Sequence, residues 1–177
     1  VQQATSTAFT GTSDTCAFAS NVGNGNLIAI YVAAIAFNQA VPRYSSASGS
    51  RGETWTLVQE TFLDSGTQRF SSAIVYGKTT SAGAETITVT MTASTNQHSQ
   101  FMCYEVSDVD TVTVTGNTGT GSGTALAVTS FTASSNAGFT LAGYIHTTSQ
   151  GGDATFSSGF TKDYALAGGE LVGSSVT

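Results

Sequence analysis

Apolar residues recur at every second position through much of this chain, and the alternation stops at clusters of Gly, Ser, Asn and Asp. A period of two puts alternate side chains on one face of a sheet, so each run reads as a half-buried strand. Residues 86–92 are the clearest case, with Ile87, Val89 and Met91 on one face and threonines on the other. Residues 111–115 repeat it with Val112 and Val114. Trp55 and Leu57 alternate with Thr54 and Thr56, and Phe139, Leu141, Gly143 and Ile145 form a further face. Phe70, Ile74 and Tyr76 mark a strand ending near Gly77. Residues 27–37 and 101–106 are apolar at both parities and predict central strands buried on both faces. The first is long enough to be a helix, but Asn24-Gly25 before it, Pro42 after it and its branched and aromatic members favour a strand.

Glycine-rich connectors are predicted at 45–52, 116–123, 151–152 and 168–169, with His98 in a polar turn and His146 at a strand end. No helical period competes with this rhythm. The expectation is an all-β, antiparallel β-sandwich of the jelly-roll or Ig-like kind, with about ten strands and no substantial helix. Residues 11–177 read as one domain. Residues 1–10, uncharged and alternating, read as an extended N-terminal segment.

Composition sharpens this picture. Hydrophobic residues make up 40% of the chain, enough for a packed core, while charged residues are only 9%, against roughly 25% in ordinary soluble domains. Thr, Ser, Gly and Ala take their place, giving a hydroxyl-rich surface suited to the outside of a cell or a virus particle. The formal net charge is −6, and the five cations, Arg43, Arg51, Arg69, Lys78 and Lys162, are dispersed. Nucleic acids need clustered cations to displace counterions, which excludes them as partners here. The longest apolar run, 27–37, is too short to span a bilayer, so membrane insertion is not expected. The chain opens on Val1, which fits a removed leader or a trimmed initiator Met. There is no Asn-x-Ser/Thr sequon. Cys16 and Cys103 predict one disulfide in such a chain, contributing roughly 4 kcal/mol; two buried thiols are the alternative.

Three segments carry a resemblance: Ala17-Phe18-Ala19-Ser20-Asn21-Val22, then Gly25-Asn26-Leu27-Ile28, then Gly52-Glu53-Thr54-Trp55-Thr56-Leu57. Ala84-Glu85-Thr86-Ile87-Thr88-Val89 and the stretch from Tyr104 to Asp110 extend it. Together they resemble a widespread family of bacterial, archaeal and phage β-sandwich domains that occur in secreted, adhesin-like and virion proteins. The resemblance implies a sandwich and brings no catalytic residues. Copies of that family continue past a position like Val176 into another apolar strand, so either the C-terminus is lost here or the sandwich lacks a strand of its own.

Chemistry is sparse. No G-x-S-x-G elbow and no H-x-H, H-E-x-x-H or C-x-x-C spacing occurs. Calcium takes about six to eight oxygens, and Asp108 and Asp110 supply the start of such a set; no other cofactor is expected. Glu53, Glu60, Asp64 and Glu105 are the acids available for glycosidase-type chemistry. Glu105, on a strand face with Phe101 and Cys103, instead predicts a structural role through an ion pair or backbone donors. Tyr44, beside Arg43, is the candidate for stacking on a glycan.

These readings predict a non-enzymatic structural subunit of an extracellular surface filament or similar assembly, partnered by copies of itself. A sandwich lacking a strand exposes backbone donors and acceptors, and the 1–10 segment, with Val1, Gln3, Thr5, Thr7 and Phe9 on one face, is the expected donor to a neighbour. A virion decoration or fibre protein, and a carbohydrate-binding or adhesive module, are the alternatives.

Overall fold

The computed structural model describes residues 2–5, 9–109, 139–145, 161–165 and 170–176. These residues form antiparallel strands and no helix. One sheet holds seven: β1 (Gln2–Thr5), β2 (Phe9–Ala17), β3 (Leu27–Phe37), β4 (Tyr44–Ser48), β5 (Thr56–Asp64), β6 (Gln68–Lys78) and β7 (Thr86–Val106). Three more, β8 (Phe139–Ile145), β9 (Thr161–Ala165) and β10 (Glu170–Val176), form a second sheet in the order β8-β10-β9.

The long strand β7 organises the first sheet. Its C-terminal part lies between β1 and β3 in the path β1-β7-β3-β6-β5, and its N-terminal part lies between β2 and β4. Ile87, Val89 and Met91 from one end of β7 share a buried cluster with Phe101 and Cys103 from the other. Ile28, Ile30, Val32 and Ala34 of β3 and Ala73 and Val75 of β6 complete it. The sheet therefore curls over its own apolar face and is nearly closed.

The curl falls on the polar stretch from Ser94 to Gln100, which the sequence reads as a turn but through which β7 runs unbroken. Register slips between Phe9 and Gly11 and again between Gly11 and Ser13. There the buried Thr95 hydroxyl donates to the carbonyls of Phe9 and Gly11 at 3.4 and 3.3 Å. On the other side, regular pairing with β3 ends at Ala33 and Gln100. Beyond it the Ile35 N–H donates to Ser99 Oγ at 3.0 Å. The Asn96 amide then brackets Phe37, accepting from its N–H at 2.6 Å and donating to its carbonyl at 2.8 Å. Side chains thus take over the ladder where the backbones diverge, as buried peptide groups require.

Strand β3 is buried on both faces from Leu27 to Ala36, as its continuous apolar run predicts. Its second face, with Ala29, Tyr31 and Ala33, packs with Met102 and Tyr104 of β7, and Ile74 and Leu141 cover it. Small residues flanking Tyr31 leave room for its ring, which lies directly on Gly143 of β8; a Cβ at 143 would collide with it. The turn before β3 places Gly25 at φ 78°, where glycine carries little strain.

Two local expectations are corrected. Residues 44–48, placed at the start of a connector, pair with β7 as β4, because tertiary pairing overrides the weak strand preference of Ser and Ala. Leu57 does not share a buried face with Trp55: Trp55 packs on the core, whereas Leu57 is exposed on β5, where the register with β6 shifts just after it. The predicted strand at 111–115 and the connectors at 116–123, 151–152 and 168–169 lie outside the described residues, as do His146 and Asp110.

Cys16 of β2 and Cys103 of β7 are joined by a disulfide, both fully buried, with a sequence separation of 87. Replacing both by Ala is expected to lower unfolding free energy by about 4 kcal/mol, the loop-closure contribution. A fall in the urea midpoint, with a rise in m-value because the uncrosslinked denatured chain is more expanded, is the measurement; an unchanged midpoint would mean that packing alone holds the curl.

Candidate assembly site

The N-terminal segment is where sequence and structure meet most directly. Strand β1 runs antiparallel to β7 in the register Gln2 to Glu105, Gln3 to Tyr104, Ala4 to Cys103 and Thr5 to Met102. Ala4 is buried in the same cluster as Cys103 and Phe101. Gln3 and Thr5 of the segment expected to be extended therefore lie in a strand, and that strand pairs within its own chain's sheet. Phe9 belongs to β2; it is buried, with its ring centroid 4.7 Å from that of Phe101. The reason is proximity: an uncharged alternating segment joined to β2 meets the adjacent edge of β7 at high effective concentration. Val1 and Thr7 lie outside the described residues.

Strand β1 is also separable. Only four residues long, it is divided from β2 by residues 6–8, and both run along the same side of β7. From Thr5 to Phe9 the chain advances four residues while its β7 partner moves three, from Met102 to Ser99, so β1 continues the direction of β2 and makes no hairpin with it.

The end of this slot is braced by the acid that pairs with Gln2. Glu105 is buried, and its Oε1 accepts from the Gly23 N–H and from Asn26 Nδ2, both at 2.6 Å. Backbone and amide donors, the second of the two options read from sequence, hold this carboxylate and fix the turn into β3.

The other acids are scattered. Glu60 accepts from Arg43 Nε at 2.9 Å and from Arg43 Nη2, and from the Tyr44 N–H at 2.8 Å. Asp64 lies 3.1 Å from Arg69 Nε and accepts from the Gly66 N–H; these bonds hold its carboxyl below the usual range. Tyr44 opens β4 rather than sitting in a loop, and its half-buried ring packs against the core. Asp108 is exposed just past β7, in left-handed backbone at φ 60°. His98 lies within β7.

The two carboxylates that do converge include one the sequence does not single out. Above Gly49, a Cβ would lie 2.5 Å from Glu53 Oε2 and 2.7 Å from Glu85 Oε1. The Glu85 side chain is fully buried; it accepts from the Ser50 N–H at 2.8 Å and Ser50 Oγ at 3.2 Å, with Arg51 Nε at 3.9 Å. Glu53 Oε2 accepts from the Arg51 N–H at 3.3 Å, and Oε1 is buried without a hydrogen-bond partner among the described residues. Burial, and then the neighbouring Glu85, push the Glu53 carboxyl up. The one signal in the sequence is an acid directly before the alternating run at 86–92.

Comparison with family models, with curated proteins and with solved structures finds no match.

The Glu53 carboxyl yields a signed pH prediction. Its folded pKa lies above the ordinary 4.5, so the folded state holds the proton more tightly. The associated stability is complete below the ordinary value and is lost as pH rises through the folded value. Glu53→Gln removes this titration while keeping the acceptor for Arg51. The variant should match the parent at about pH 3 and melt higher than it at about pH 7. Thermal scans across that range check it, and a difference that does not change with pH would overturn it.

Proposed function

We propose that this chain is a non-enzymatic structural subunit of an extracellular surface filament or similar assembly. It polymerises by strand addition, with β1 of one copy taking the place beside β7 of the next. One observation carries the reading: a four-residue, uncharged strand fills a slot on β7 and is joined to β2 through residues 6–8. A strand that pairs within its own chain makes the same backbone bonds when it pairs with an identical neighbour. Exchange is therefore close to neutral in contact energy, and the chain of copies outcompetes the closed monomer where the concentration of copies exceeds the effective concentration of β1 for its own slot. Head-to-tail exchange whose rotation does not close a ring extends without limit, and its product is a fibre.

The slot survives the departure of β1. Glu105 remains held by Gly23 and Asn26, and Cys103 remains tied to Cys16. The rest of the chain suits the role. A disulfide is compatible with an extracellular location, a surface of hydroxyls changes little with salt and pH, and the resemblance to secreted and virion-surface domains points the same way. On this reading the curled sheet and the β8-β10-β9 sheet are layers of a β-sandwich of the kind expected from the sequence.

The test compares the full chain with one lacking residues 1–5 and with Ala4→Asp, which puts a carboxylate against the buried Cys103. The parent should form fibres under negative-stain microscopy, while both variants stay folded by circular dichroism and sediment as small species. A synthetic peptide of residues 1–5 should bind the truncated chain and not the parent fibre. Fibres that persist in both variants would end the strand-addition reading.

A further inference from the structure

The loop from β4 to β5, residues 49–55, is fastened at Thr80 and at the two converging carboxylates. The Arg51 carbonyl accepts from the Thr80 N–H at 2.9 Å and from Thr80 Oγ1 at 2.7 Å. Glu85 takes the Ser50 N–H and hydroxyl, and Glu53 Oε2 takes the Arg51 N–H. Gly49 is wedged against an oxygen of each acid, and the two carboxyls are themselves in hydrogen-bonding contact. The charged groups around the pair are few. Arg51, whose Nε donates to the Ala84 carbonyl at 2.8 Å, stands 3.9 Å from Glu85 Oε2. Lys78, at the end of β6, is turned to the Val109 carbonyl at 2.7 Å. Strand β4 and residues 86–97 of β7 carry no charge. Among the described residues no other cation lies within ion-pair distance of either acid.

We propose that Glu53 and Glu85 hold one proton between them and form a latch on this loop, closed while the proton is held and open once it is lost. The charge balance gives the reason. With the proton, the pair carries a single negative charge, which Arg51 meets. Without it, two carboxylates face one arginine, and one of the two is fully buried. The proton also accounts for Glu53 Oε1, which is buried without a donor: a carboxylic acid donates where a carboxylate can only accept. Glu53 is half-buried and Glu85 fully buried, so Glu53 is the member that passes its proton to water and swings outward. The Arg51 N–H then loses its acceptor. Burial and the neighbouring Glu85 raise the Glu53 carboxyl, so the latch is closed in acid and opens as pH rises through the folded value. Trp55, the single tryptophan of the chain, senses the movement, because a Cβ at Gly77 would lie 3.1 Å from Trp55 Cε3 and 3.2 Å from Glu53 Cβ. None of these residues belongs to β1 or its slot, so the latch is independent of strand exchange.

The test follows Trp55 emission of the full chain between about pH 3 and about pH 8. The parent should show a transition with its midpoint above the ordinary 4.5. Across it, protection of the Arg51 amide, measured against its intrinsic exchange rate at each pH, should fall at least about tenfold. Glu53→Gln, which cannot ionise, should show neither change. Glu85→Gln keeps an acceptor for Ser50 and removes the like charge, so its transition should move to lower pH. A parent without a transition, or a transition that persists in Glu53→Gln, would overturn the latch. An unchanged midpoint in Glu85→Gln would overturn the shared proton. Each reading is local to residues 49–55 and stands whether or not the chain forms fibres.

Discussion

Peptide groups that go into the interior must find partners, and in this sheet the demand is greatest where β7 bends over the core. A strand of 21 residues cannot keep regular ladders with four neighbours while it curls. Thr95, Asn96 and Ser99 resolve the conflict by giving hydroxyl and amide groups to the backbones of β2 and β3 where regular pairing lapses. Once those groups are satisfied, the two ends of β7 can present their apolar faces to one another. Ile87 and Val89 then share a core with Phe101 and Cys103, and the Cys16–Cys103 bond closes over the same cluster. Placing apolar residues at 95, 96 and 99 would add hydrophobic area and still strand the backbone, a worse exchange in a buried site.

The same feature explains what the sequence discloses and what it conceals. Period-two alternation at 86–92 and a doubly apolar run at 27–37 correspond to β7 and β3 because burial on one face or two is a property of each residue in turn. The polar stretch between 94 and 100 reads as a turn for the same reason: no local pattern says that a hydroxyl will pair with a distant carbonyl. Phe9 is opaque in the opposite sense. Its segment looks free in isolation, and only the neighbouring Phe101 reveals that it is anchored. Residues 44–48 carry little strand preference of their own and are held as β4 by the edge of β7 they meet. The Glu53–Glu85 pair is hidden because its members are 32 positions apart, a gap on which sequence spacing has nothing to say.

Low charge has a structural counterpart in how the acids are held. Glu60 and Asp64 are met by Arg43 and Arg69, Glu105 by backbone and amide donors, and Glu85 by Ser50 with Arg51 nearby. The acids on β5, Glu60 and Asp64, are both met by arginines, so that edge carries little net charge although the chain as a whole stands at −6. A protein that must remain monomeric would be exposed by this arrangement, since neutral edges are what other strands pair with. In a subunit meant to join its neighbours, the same neutrality lets backbone bonds decide the contact.

On the proposed strand exchange, the strand that leaves and the slot that receives it are different surfaces, so the contact at β1 would be head-to-tail and would extend in one direction wherever the rotation between copies does not close a ring. The bend in β7 shapes that slot: by drawing the middle of the sheet into a closed core, it leaves as edges of this sheet, among the described residues, the strands at the two ends of the path β1-β7-β3-β6-β5 and the shorter pair, β2 and β4, along its own N-terminal half.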